Sequence, residues 1–169
     1  MRMNVLKASA LLVIVGVLGM SSAHGAARPD DSGDGQKLEG TWVVTVSLRD
    51  CSLGTPIGAP FMSLLTFARG GTMTETTSSP MFFPTFRGPG HGVWSKAGGN
   101  TYKASSIAMI TVNGALTRTQ TITQTIEVQS EDEFTTTSAS VKFFAPNGTL
   151  LGTGCATATG TRFELEEGL

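Results

Sequence analysis

Apolar and polar residues alternate with a period of two along most of the chain, and that period predicts strands. Residues 40–50 place Trp42, Val44, Val46 and Leu48 on one face. Residues 61–69 and 72–77 follow, separated by Gly70-Gly71, a hairpin signal between apolar-rich runs. Residues 90–96 form a further short strand, and the turn at 97–100 leads into 101–112. Asn113-Gly114 is a two-residue turn, because both residue types tolerate positive φ. The last three strands are 116–129, 133–145 and 149–163, joined through 130–132 and Pro146-Asn147-Gly148. Only the connections at 51–60 and 78–89 are longer. No stretch carries an apolar period of 3.6 over three turns.

Connections this short leave no room for helical crossovers, so neighbouring strands must be antiparallel. An eight-stranded meander of this length closes into a barrel and leaves no open edge. The predicted fold is therefore all-β, an eight-stranded antiparallel up-and-down barrel. A two-sheet sandwich is the alternative, but it requires connections that cross between sheets, and local hairpins account for the whole chain.

Two strands carry unusual faces. In 116–129, Thr117, Thr119, Thr121, Thr123 and Thr125 share one face, and threonine is a strand former that water tolerates. With that face outward, Arg118, Gln120 and Gln124 enter the interior beside Ile122 and Ile126. Long polar side chains do not stay unpaired in a dry core. They meet partners, line a wet cavity near one mouth, or project past the barrel end. In the last strand Gly152, Gly154, Ala156, Ala158 and Gly160 share a face almost bare of side chain. Such a face leaves space for a ligand or admits bulky groups from opposite strands, with Trp42, Phe67 and Trp94 as candidates.

Residues 80–96 hold the densest chemistry. Met81, Phe82, Phe83 and Phe86 are large apolar groups in a loop broken by Pro80, Pro84 and Pro89. A loop of this kind at a barrel mouth either covers a cavity or caps the core. Arg87 is the best contact for a carboxylate if the loop faces inward, since its fork takes two oxygens. His91 sits between Gly90 and Gly92 and, as a base, would need a partner such as Asp50 or Glu75. Tyr102 packs against its own hairpin. Phe83, Phe86, Arg87, His91, Trp94, Arg118, Gln120 and Gln124 form the candidate ligand-binding set, with no catalytic residue assigned. One histidine outside the leader excludes a metal site built by histidine clustering. No nucleophile elbow or phosphate-binding glycine loop is present, so no cofactor is assigned.

Cys51 and Cys155 are the only cysteines. In an oxidising compartment a lone pair is most simply a disulfide, and Cys155 on the outer face reaches Cys51 if the last strand lies beside the first. The start of the chain agrees. Arg2 and Lys7 precede a run, 8–20, that is apolar apart from Ser9, and Ala23-His24-Gly25 offers small residues to a signal peptidase. The run is short for a span of roughly 20 residues. The organisation reads as a signal peptide at 1–25, a flexible lead-in at 26–38, a barrel domain at 39–165 and a tail at 166–169. The protein is expected to be secreted or periplasmic, with no stable membrane span after cleavage. The formal net charge is −1, and losing Arg2 and Lys7 makes it more negative. No basic run remains, which excludes nucleic acid as a partner class.

Gly40-Thr41-Trp42 opens the first strand and Arg162 ends the last. Physically, the tryptophan plugs the barrel end and the arginine lays its guanidinium over the indole. With these residues the chain resembles the calycins, the lipocalin-like barrels, over residues 39–163. The usual flanking helix is missing and the second and third family motifs are not recognisable. Helix-free barrels of the avidin or allene-oxide-cyclase type are a near comparison. The resemblance implies structural roles for Trp42 and Arg162 and a small, apolar or amphipathic ligand. A cyclase or isomerase using the cavity, and a packed barrel acting through its surface, are the alternatives. Threonine-rich outer faces leave homo-oligomers open.

Overall fold

The structure is a computed structural model that describes residues 37–79 and 83–165. The expected leader, the lead-in as far as residue 36, Pro80, Met81, Phe82 and the tail 166–169 lie outside the described residues. The strands are β1 (Gly40–Arg49), β2 (Phe61–Ala68), β3 (Thr72–Ser78), β4 (Thr85–Gly98), β5 (Thr101–Val112), β6 (Ala115–Val128), β7 (Glu133–Phe144) and β8 (Leu150–Arg162). They form a closed barrel in sequence order, each antiparallel to its neighbours, and β8 returns to β1. The predicted fold class holds and the sandwich alternative does not.

One strand differs from its expected extent. β4 begins at Thr85 rather than at residue 90, because pairing with β5 continues as Thr85↔Val112, Phe86↔Thr111 and Arg87↔Ile110. A register shift separates Arg87 from Gly90, and Pro89 lies within it. Proline has no N–H for the ladder and is confined to such irregular places. Leu38, expected in a flexible lead-in, is instead fully buried. Its carbonyl accepts the Trp42 Nε1–H at 2.9 Å, which ties the segment under the barrel. The Asn113-Gly114 turn has φ of 50° and 80°, as a two-residue hairpin turn requires.

The large side chains gather at one end. Trp42, Phe67, Tyr102, Ile126 and Phe134 are almost completely buried there, with Met73, Trp94 and Val128. Trp42 meets Phe134 edge-on at 4.9 Å, and Phe67 meets Trp94 at 6.0 Å. The Trp94 indole donates to the carbonyls of Thr72 and Ala68. Phe134, which was not among the expected fillers, occupies the bare face of β8 at this end. A Cβ at Gly160 would overlap its ring. Arg162 closes the end from outside. Its guanidinium carbon lies 4.3 Å from the Trp42 ring centroid, and its nitrogens donate to the carbonyls of Glu131, Glu39 and Lys37 at 2.6–2.8 Å.

At the opposite end the closure is covalent. Arg49 pairs with Cys155 across β1 and β8, and Cys51 is bonded to Cys155 over a separation of 104 residues. Asp50 organises the turn around Cys51. The Ser52 hydroxyl, the Leu53 amide and the Ser52 amide donate to its carboxylate and hold it below the ordinary value of 3.8. A lowered folded value means that this contribution is present above pH 3.8 and is lost as pH falls through the folded value. Reducing Cys51–Cys155 is expected to cost about 2–4 kcal/mol in urea unfolding. Amide exchange should quicken first in residues 46–50 and 155–158, with the Trp42 end still protected. Equal exchange at both ends would contradict this division.

Candidate functional site

The interior half remote from Trp42 is under-filled. A cavity of about 70 Å³ lies there, walled by Val44, Val46, Leu65, Ile122, Val141, Ala156 and Ala158. β8 accounts for much of the space. A Cβ at Gly152 would meet no atom within 4 Å, and one at Gly154 only Val141 at 3.7 Å. Polar groups enter the same space from β2, β3, β4 and β6, namely Ser63, Glu75, Thr77, Arg87, Gln120 and Gln124.

Their centre is an ion pair between Arg87 Nη2 and Glu75 Oε1, with both side chains about 5 % exposed. Arg87 also donates from Nε to Gln120 Oε1. Three strands are thereby joined across the interior of the wall. The chain makes room for this with small residues. Glu75 pairs with Gly90, where a Cβ would overlap the carboxylate, and Gln120 pairs with Ala108 on the intervening strand. A buried pair costs several kcal/mol per ion to desolvate, which only close geometry and further hydrogen bonds offset. Here Gln120 supplies the further bond. Glu75 and Arg87 are committed to one another by this pair.

A second hollow, of about 190 Å³, opens at the mouth and shares Arg87 and Gln120 with the cavity. Phe83, Thr85, Ile110, Arg118 and Phe143 complete its wall. Arg118 lies with its guanidinium carbon 5.2 Å from the Phe143 ring centroid.

The structure thus brings Arg87, Gln120 and Gln124 together at the cavity and adds Phe83 and Arg118 at the mouth. Three candidates lie elsewhere. His91 projects outward from β4 beside Thr66 and Thr74, because alternation from inward Trp94 puts it on the outer wall. Phe86 is exposed for the same reason, next to inward Arg87. Trp94 is packed at the closed end against Phe67 and Tyr102. The Thr117–Thr125 face of β6 points outward, as its period requires. Glu75 was missed as a site residue. Its period-two spacing from Met73 already placed it on the inner face. Thr136, also missed, is buried and accepts the Ala158 amide beside a β7 bulge. Among the described residues no group of three His, Cys, Asp or Glu is placed to hold a metal ion.

No protein family and no curated protein matches the sequence. Similar solved structures include a redesigned β-barrel, at 16 % identity and TM-score 0.45, covering 78 % of this chain and 96 % of that one. EF1p2_mFAP2b bound to DFHBI is 17 % identical with TM-score 0.48, covering 77 % and 97 %. Rv2717c from M. tuberculosis is 15 % identical with TM-score 0.39, covering 76 % and 94 %.

If the Glu75–Arg87 pair balances its own burial, breaking it from one side is far worse than replacing both partners. Arg87→Met alone should destabilise by about 3–5 kcal/mol, and Arg87→Met with Glu75→Leu should recover most of that. Denaturant unfolding of the two variants checks this. Equal losses in both would mean that the pair itself, not the stranded charge, carries the energy.

Proposed function

We propose that this chain is an exported, calycin-like barrel that binds a small apolar or amphipathic molecule in the interior half remote from Trp42. The observation that carries the reading is the uneven filling. Rings fill one half, while Ala156 and Ala158 on β8 help to wall a cavity in the other half beneath an open mouth. A packed barrel acting only through its surface has no need of that space.

Size limits the ligand. Pockets for drug-sized molecules run to roughly 300–1,000 Å³. The cavity of about 70 Å³ takes only a short apolar group, so a ligand must also use the mouth hollow of about 190 Å³. A compact molecule fits this arrangement better than a long acyl chain. Export is supported by the apolar leader and by the Cys51–Cys155 bond, which suits an oxidising compartment. The Arg162 guanidinium over Trp42 supports the calycin resemblance.

Native mass spectrometry of protein purified from its own host should show an added small mass. Homogeneous empty protein that also ignores a panel of lipids and aromatic dyes would sink the reading. A variant gives a second check. Ala158→Leu fills the cavity and should weaken binding at least tenfold, with the melting temperature unchanged or raised. Undiminished binding would place the ligand outside this cavity.

A further inference from the structure

The mouth hollow contains a cation, Arg118, that pairs with no carboxylate among the described residues. Arg118 enters the interior from β6, opposite Ile110 on β5. Two residues along, Gln120 is taken up by Arg87, and Arg87 by Glu75. Arg118 is excluded from that chain of bonds. Its Nε is shut away from water and has no hydrogen-bond partner. Its guanidinium lies over the face of Phe143.

Buried polar groups nearly always have partners, and a charged donor left without an acceptor is among the costlier exceptions. Arg118 as a whole is half-buried and lines the mouth hollow, so an incoming acceptor meets its guanidinium from that side. A guanidinium is matched best by two oxygens on one planar group. The walls around Arg118 set the apolar Phe83, Ile110 and Phe143 beside Thr85, Arg87 and Gln120, and the three apolar side chains favour a ligand with an organic body over a hydrated inorganic ion. We propose that the mouth binds a compact organic anion, an aryl or short-chain carboxylate. Its carboxylate sits on Arg118, and its apolar body lies against Phe83 and Phe143, directed toward the cavity. This rests on the reading that the open half of the barrel takes a ligand, and it adds the ligand's charge and the residue that reads it.

The test compares 1-naphthoate with its neutral analogue 1-naphthamide by calorimetric titration of the mature, oxidised protein. The acid should bind at least tenfold more tightly than the amide. Arg118→Gln should abolish that preference. Arg118→Lys keeps the charge without the fork and should retain only part of the preference. The wild-type comparison needs no variant, so it decides even if Arg118→Gln fails to fold. Equal affinity for acid and amide, or a preference that survives Arg118→Gln, would overturn the anion assignment while leaving the ligand-binding reading intact. Inorganic phosphate binding as tightly as naphthoate would overturn the organic body. Failure of both naphthyl probes, together with the lipid and dye panel, would remove the parent reading and this one with it.

Discussion

An eight-stranded barrel encloses one interior, and whatever enters it must either fill the space or leave it open. This chain does the first at one end and the second at the other. Trp42, Phe67, Trp94, Tyr102 and Phe134 are all drawn to the end where the chain enters and leaves the sheet. Burying a large side chain contributes about 1.5–3 kcal/mol, so this end supplies most of the apolar stabilisation. Arg162 secures it by covering the Trp42 ring and bonding to carbonyls of the entering segment and of the β6–β7 turn. With one end so well fixed, the other tolerates a hole.

The polar interior follows from the same constraint. Where rings are absent, long polar side chains reach across the wall, and each must find a partner. Arg87 finds Glu75 and Gln120 because the positions between them are small. Gly90 admits the carboxylate, and Ala108 lies between the strands that carry Arg87 and Gln120. The ion pair is thus a consequence of the small residues around it as much as of its own charges. Arg118 stands outside this set, at the point where the interior meets the mouth.

Much of the fold was readable from local pattern. Alternation located the strands, the short turns forced antiparallel neighbours, and the two cysteines marked where β8 meets β1. The readings of the fold that failed involved a contact distant in sequence or a break in the period, whereas the outward side of His91 was already given by alternation from Trp94. Three prolines obscured the start of β4, since alternation is interrupted at the very place where pairing with β5 continues. Leu38 carries no strand signal, and only the Trp42 N–H gives it a buried role. The faces of β6 and β8 were legible, but not what they would meet. Phe134 fills the space over Gly160, whereas nothing fills that over Gly152. Strand period gave the orientation of Arg118 and Gln120. Their different fates depend on which neighbour lies two strands away, and no local pattern records that.

The position of the disulfide is the last step of this logic. At the Trp42 end, ring packing and the Arg162 hydrogen bonds add to the ladder that holds β1 against β8. At the other end Ala156 opposes Leu48 across the seam and lines the cavity, while Val46 and Ala158, two residues further in, still touch the core cluster. Ring packing against the seam runs out there, and a seam that opened would expose the edges that closure removes. Cys51–Cys155 lies just beyond the Arg49↔Cys155 pair, and Arg49 reinforces it by donating to Thr157 at 3.0 Å. A covalent bond takes up no interior volume. It closes the seam without filling the hollow, which a larger side chain on β8 would do only by removing the space itself.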